Sequence, residues 1–128
     1  MRQTTAVTIE TQKPFGPSSG TFSSTGAIPE SGTFMNSSAI FENVDASDFV
    51  TVNVTQRFDG ALGTFTLRAA ITETATEDPN VLTEHGTWAI IAGTGAYQKL
   101  RGRGRITGTA DDNRNLITRT YMGTVRRG

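Results

Sequence analysis

The residues of this chain that could do chemistry are few. Its 128 residues include one histidine, His85, and no cysteine. The lack of cysteine excludes disulfides, thiol nucleophiles and cysteine-based zinc sites. A lone histidine cannot hold a metal ion without a cluster of carboxylates, and His85 has no serine or cysteine partner pattern. We therefore expect no metal site and no cofactor, and we favour a strand residue at His85 over an acid or base in a cavity.

Carboxyl and phenol groups are the other candidates. Glu73 continues the alternating apolar face of residues 65–71. It either faces the interior or marks the point where its strand leaves the core, and the acidic residues 77 and 78 directly after it favour the second. Tyr97 and Tyr121 each combine an apolar ring with a phenol that could stand at the opening of a cavity. Tyr121 alternates with Arg119, so one face of its strand is aromatic and basic.

Two motifs suggest phosphate or nucleic acid, and neither is favoured. Residues 93–95 form a Gly-Thr-Gly turn, but the Gly-Lys-Ser/Thr of a P-loop and a following helix are both missing. Arg101, Arg103 and Arg105 alternate with glycine, yet segments of this kind that bind nucleic acid are longer and carry aromatic residues. Alternation places the three arginines on one face of a strand, where solvent or acidic neighbours would receive them.

The elements that must position these residues are strands. Alternation of apolar and polar residues, broken by Gly, Pro, Asn and Asp, predicts eight of them. They cover residues 4–11, 20–27, 32–43, 48–58, 61–76, 82–91, 103–109 and 115–126. Asp59-Gly60 predicts a tight hairpin between the fourth and fifth strands. Only residues 94–100 could form a short helical turn.

Consecutive hairpins without crossover helices predict an antiparallel meander. Eight such strands favour closure, because closure removes exposed edges. We therefore predict an all-β fold: one closed eight-stranded antiparallel barrel spanning residues 1–128, with almost no helix. A barrel of this size is either filled by its own side chains or encloses one small ligand.

Aromatic residues follow glycine at several predicted strand starts. Gly-Thr-aromatic recurs at residues 20–22, 32–34, 63–65 and 86–88. Glycine permits the bends that a small barrel needs, and the aromatic residue then covers the core. If the interior holds a ligand, the predicted substrate-binding residues are Phe22, Phe34, Phe65, Trp88 and Tyr97.

Composition and charge bound the setting. No apolar run approaches the roughly 20 residues that span a bilayer, and the start Met1-Arg2-Gln3 lacks the apolar stretch of a signal peptide. We expect a cytoplasmic protein with no membrane partner. Residues 1–97 hold 4 basic and 10 acidic side chains, whereas residues 98–128 hold 8 basic and 2 acidic ones. We expect the last strands to be neutralised by pairing with the first.

Residues 86–104, GTWAIIAGTGAYQKLRGRG, are the most distinctive stretch. They resemble the strand, glycine-rich turn and next strand of the allene oxide cyclase and dirigent barrels. Closer still are small bacterial proteins with a GTGxYxxLRGxG motif. With the hairpin at residues 58–67, the resemblance covers residues 48–126. It implies an eight-stranded barrel, often oligomeric, that folds reactive intermediates into one stereochemical outcome without a cofactor.

The resemblance also implies a site. In allene oxide cyclases a glutamate, and an asparagine two residues later, face the cavity from the first strand; this chain has Glu10 and Gln12 in that relation. Gln12 departs from the family pattern. If Val7 and Ile9 point outward, Glu10 points inward, where it could stabilise positive charge or relay a proton. The alternative, which we favour, is that Glu10 is a solvated carboxylate on the first strand. The candidate catalytic residues are Glu10, Gln12 and Tyr121.

Three functions compete on these grounds. The first is a cofactor-independent cyclase or isomerase that shapes a hydrophobic small molecule of natural-product type. The second is a non-catalytic small-molecule binder, and the third is a structural or assembly module whose barrel is filled by aromatic side chains. A homo-oligomer, a dimer or trimer, is expected from the resemblance, and no nucleic-acid partner is expected.

Overall fold

Eight strands and one short 3₁₀ turn make up the fold of the residues that the structure describes. The computed structural model describes residues 4–43 and 49–127, and the backbone alone at residues 38–43 and 49. The strands are β1 Thr5–Lys13, β2 Ser19–Gly26, β3 Glu30–Asn43, β4 Phe49–Gly60, β5 Gly63–Ala75, β6 Val81–Gly93, β7 Leu100–Asp111 and β8 Leu116–Arg127. The predicted first residue of the fourth strand, Asp48, and the initial Met1-Arg2-Gln3 lie outside the described residues.

The strands close into a barrel. Each strand pairs antiparallel with the next along the chain, and β8 pairs antiparallel with β1, with Ile9 opposite Tyr121. The predicted eight-stranded closed antiparallel barrel is confirmed. Closure gives every strand two hydrogen-bonded neighbours and leaves no edge. No helix in the described ranges has the length and apolar character needed to cross a membrane.

Alternation decides which side chains face the interior. On β5, Phe65, Leu67, Ala69 and Ile71 are all buried, and the residues between them are less so. Because successive side chains of a strand point to opposite faces, each strand contributes one apolar row to the core and one largely polar row to the outer wall. This is the pattern from which the strands were predicted.

The hairpin between β4 and β5 differs from the prediction. Gly60 pairs with Gly63, so the two turn residues are Ala61 and Leu62, not Asp59-Gly60. The Glu30 carboxylate accepts hydrogen bonds from the backbone N–H groups of Ala61 (2.9 Å) and Leu62 (3.1 Å). A side chain distant in sequence thus accepts the hydrogen bonds of this turn's N–H groups. Turn prediction from neighbouring residues alone does not anticipate such a contact.

The two ends of the barrel differ. At the end where β1 begins and β8 ends, the 3₁₀ turn Gly95–Tyr97 places Tyr97 against the core with 3% of its surface exposed. The Tyr97 hydroxyl donates a hydrogen bond to Glu30 Oε2 at 2.7 Å. This plugged end contrasts with the opposite end, which we call the mouth, where the β1–β2, β5–β6 and β7–β8 connections lie.

Candidate functional site

Aromatic side chains fill the half of the barrel nearest the plugged end. The five predicted substrate-binding residues are all buried there, with at most 4% exposure: Phe22, Phe34, Phe65, Trp88 and Tyr97. Phe58 joins them, stacked on Phe65 with ring centroids 4.8 Å apart, and Phe22 meets Phe58 edge-on at 5.1 Å. The phenylalanine and Tyr97 rings pack against one another. A role in contacting a ligand stays a prediction for all five residues.

Tyr121 lies where the aromatic half gives way to polar residues. Its ring meets Phe58 edge-on at 6.1 Å, and its side chain is fully buried. The hydroxyl donates to Gln56 Oε1 at 2.7 Å, and Gln56 Nε2 donates to Asn36 Oδ1 at 2.9 Å. Burial raises the pKa of Tyr121, which keeps the phenol protonated at neutral pH. Its predicted interior position is therefore observed, while a catalytic role stays a prediction.

A buried ion pair lies toward the mouth from Tyr121. Arg119 Nε donates to Glu84 Oε1 at 2.7 Å, and Arg119 Nη2 donates to Glu84 Oε2 at 3.0 Å. Their side chains are 10% and 0% exposed. Burial opposes the charge on Arg119, but its hydrogen bonds to Glu84 and the charge of Glu84 outweigh burial and raise the Arg119 pKa. A two-pronged, desolvated pair of this kind is rigid as well as strong.

Gly108 makes this pair possible. Glu84 is on β6 and Arg119 is on β8, and both lie opposite Gly108 of the intervening strand β7. A β-carbon at position 108 would lie 2.9 Å from Arg119 Cγ and 2.5 Å from the Thr118 carbonyl oxygen. The missing side chain therefore leaves the space across which the carboxylate and the guanidinium meet.

Glu73 places a second carboxyl group at this ion pair. It is opposite Glu84 in the β5–β6 register and is half-buried. Burial, a hydrogen bond to Glu84 and the charge of Glu84 raise the pKa of Glu73 to about 7, and Arg119 opposes the shift. The expectation that Glu73 marks the strand leaving the core is wrong, because its side chain shares the interior with Glu84.

Lys13 completes the group at the mouth. The residue is 8% exposed, and its Nζ donates to the backbone oxygens of Pro14 (2.8 Å) and Pro17 (2.6 Å). Burial and the charge of Arg119 lower the pKa of Lys13, while Glu84 opposes the shift. We call Lys13, Glu73, Glu84 and Arg119 the mouth cluster. It holds two carboxyl groups and two cationic groups within the barrel wall.

Glu10 and Gln12 do not belong to the mouth cluster. Val7, Ile9, Thr11 and Lys13 are the buried row of β1, and Glu10 and Gln12 are exposed on the outer wall. The inward orientation of Glu10 and Gln12 that the resemblance implies is wrong, because the apolar Val7 and Ile9 take the interior. The favoured alternative, an exposed carboxylate at Glu10, is the one observed. Any catalytic role of these two residues would act at the outer surface and stays a prediction.

His85 is exposed on the outer face of β6, next in sequence to the buried Glu84. Among the described residues, no three His, Asp or Glu side chains converge as a metal-binding group. The interior ionisable groups were largely missed from sequence. Their signal was the alternation of residues 84, 86, 88 and 90, which places Glu84 on the same face as the buried Trp88 and Ile90.

No protein-family model, no curated protein and no solved structure matches this chain. The closed barrel agrees with the architecture that the resemblance to allene oxide cyclases and dirigent proteins implies. Membership of that family is not shown by a match. The function must therefore be argued from the geometry of the barrel interior.

Proposed function

We propose that this protein is a cofactor-independent isomerase or cyclase that takes a hydrophobic small molecule at the mouth of its barrel. The observation that carries the proposal is the pair of interior carboxyl groups, Glu73 and Glu84, with Arg119 bound to one of them. Carboxyl groups placed in different environments are the usual source of an acid and a base at one site.

Glu73 is the proposed acid–base residue. With a pKa of about 7, both its protonated and its ionised forms are populated at neutral pH. Arg119 holds the charge of Glu84, so the proton of the pair resides on Glu73. In an isomerisation, Glu73 removes a proton from one carbon of a conjugated substrate and returns it at another. Atoms and electrons balance without a co-reactant.

The barrel wall supplies the conformational part of the chemistry. A substrate in the mouth meets an inner boundary formed by Tyr121 and the packed phenylalanines. Such a boundary excludes water and selects folded conformers in which reacting atoms are already close. The resemblance to allene oxide cyclases and dirigent proteins supports ring closure as the reaction. A homo-oligomer, a dimer or trimer, stays a prediction from the same resemblance.

The test is the Kemp elimination of 5-nitrobenzisoxazole, in which a base removes a carbon-bound proton and the N–O bond breaks. This small, apolar aromatic probe reports a desolvated carboxylate that a small molecule can reach. We expect a rate that rises with pH and levels above about pH 7, and a loss of about 100-fold in Glu73→Gln. Glu77→Gln, which removes an exposed carboxylate with no proposed role, is the matched control and should keep the rate. Equal rates for the native protein and Glu73→Gln would overturn the proposal.

A filled structural barrel is the second candidate, favoured by the packing of Phe22, Phe34, Phe58 and Phe65. It predicts no elimination and no increase of the unfolding temperature with 5-nitrobenzisoxazole. A non-catalytic binder predicts the increase without the elimination. The two measurements together separate the three functions.

A further inference from the structure

The outer wall of the barrel carries a trough of about 630 Å³ across β5, β6 and β7. Its middle is formed by the small side chains Ala70, Thr87 and Ala89. Three arginines stand along it: Arg68 and Arg103 flank Ala89 in the strand register, and Arg105 lies opposite Thr87. We call Arg68, Arg103 and Arg105, with the small side chains between them, the arginine trough.

The side chains explain why a convex wall is concave here. The middle of the trough has the short side chains of Ala70, Thr87 and Ala89. The long side chains of Arg68 on β5 and of Arg103 and Arg105 on β7 stand on either side. Ile91, 39% exposed, adds apolar surface to the lining. The volume is in the range that accommodates a small organic ligand, about 300–1,000 Å³. The trough is on the outer face and so is separate from the mouth cluster, which faces the interior.

The arginines of the trough lack acidic partners among the described residues. The ion pairs found there are Arg57–Asp59 and Arg119–Glu84. Across the β7–β8 register, Arg103 is opposite Thr124 and Arg105 is opposite Met122. Of the two expectations for Arg103 and Arg105, solvent or acidic neighbours, the structure shows solvent. Three guanidinium groups of like charge favour an anion between them.

We propose that the arginine trough binds an amphipathic organic anion: a flat apolar body on Ala70, Ala89 and Ile91, and a carboxylate, sulfonate or phosphate held by the arginines. The guanidinium fork matches the geometry of such oxyanions. This inference does not depend on the proposed acid–base function.

Single-stranded nucleic acid fits the trough less well. Proteins bind it by combining a basic groove with aromatic side chains on which the bases stack. The exposed large hydrophobic side chains of the described chain are Met35, Leu62, Ile91 and Met122, none of which is aromatic. Trp88 lines the trough but is only 2% exposed.

A matched pair of fluorescent probes tests the proposal. 8-Anilinonaphthalene-1-sulfonate carries the anion and the apolar body, and N-phenyl-1-naphthylamine is the same molecule without the sulfonate. We expect saturable binding of the sulfonate probe. The neutral probe should bind at least about tenfold more weakly. Added NaCl should weaken the sulfonate complex alone. Equal affinity for the two probes would overturn the proposal.

Variants locate the binding. Arg103→Gln and Arg105→Gln should each weaken the sulfonate probe about tenfold, because each removes one charged hydrogen-bond donor. Arg114→Gln, an exposed arginine in the turn at the mouth, should leave binding unchanged. Ala89→Phe fills the trough and should abolish binding, with circular dichroism showing that each variant is folded. Unchanged affinity in both trough arginine variants would show that the probe binds elsewhere. Displacement of the probe by micromolar oligothymidylate would assign the trough to nucleic acid.

Discussion

Glu84 is a buried residue whose carboxylate depends on its ion-pair partner, Arg119, for stability. Its side chain is fully buried, and both its oxygens accept hydrogen bonds from Arg119. Removing a carboxylate from water costs several kcal/mol, and a well-aligned partner offsets much of that cost. The pair therefore contributes little net stability as a unit, whereas either residue alone is a strong liability.

Removing the guanidinium should consequently destabilise the protein severely. We expect Arg119→Met to lower the free energy of unfolding by about 3–5 kcal/mol, because it leaves an unpaired buried carboxylate. The double variant Glu84→Gln/Arg119→Met should regain most of that loss. Urea unfolding of the three proteins at one pH measures both changes. A double variant no more stable than Arg119→Met would contradict a compensated pair.

Sequence could identify part of this site and not the rest. Alternation alone puts Glu84 with Trp88 and Ile90, and Arg119 with Tyr121, on common faces. It cannot say which face is interior when both contain polar residues. The inward placement of Glu10 depended on the family resemblance, and Glu73 stayed open between the interior and the point where its strand leaves the core. Glu84 on β6 and Arg119 on β8 meet across the intervening strand β7. Alternation within a single strand cannot predict a contact between strands that are not adjacent.

At the scale of elements, β7 is the strand whose glycines position the neighbouring side chains. Gly102, Gly104 and Gly108 lie on its inward face, alternating with the exposed arginines. A side chain at Gly108 would collide with Arg119 and with the backbone of β8. Small residues in this row let β6 and β8 share one interior site.

Gly108→Ala adds only one methyl group but should disturb the mouth cluster strongly. The added methyl displaces Arg119, and we expect a loss of about 1–3 kcal/mol in the free energy of unfolding. The Kemp elimination rate should fall as well, since Glu84 loses its alignment. Thr107→Ala, on the exposed face of the same strand, is the control for both measurements. Full stability and activity in Gly108→Ala would show that the space above Gly108 is not needed.

The elements themselves were well predicted, and among their connections the β4–β5 turn was not. Alternation over 5–8 or more residues locates a strand to within a few positions, as at β2 and β8. The β4–β5 turn was misplaced because Glu30, some thirty residues earlier in the chain, satisfies its backbone N–H groups. Side-chain contacts between distant segments are invisible to local turn chemistry.

At the scale of the whole molecule, the barrel is divided along its axis. One half is a packed aromatic core closed by Tyr97, and the other holds the mouth cluster. Hairpin order and the need to remove edges were sufficient to predict closure. The division was not predictable, because it depends on which ends of eight strands meet.

The division makes stability depend on pH. Glu73 has a pKa of about 7 in the folded barrel against an ordinary value of 4.5. Between these values the folded state binds more protons than the unfolded state, so the free energy of unfolding falls as pH rises. We expect a loss of about 1–2 kcal/mol from pH 4.5 to pH 8, reduced by the partial exposure of Glu73. Glu73→Gln should lack this component, as the difference between the two urea-unfolding pH profiles would show. Parallel profiles would contradict the assignment.

Titration of the Glu73 side-chain carboxyl carbon by ¹³C NMR is the most direct test of an acid–base site inside the barrel. We predict a midpoint near pH 7, which moves in Glu84→Gln because that variant removes the neighbouring charge. An exposed carboxyl group such as that of Glu77 provides the reference in the same spectra. A Glu73 midpoint near 4.5, unaffected by Glu84→Gln, would contradict the account.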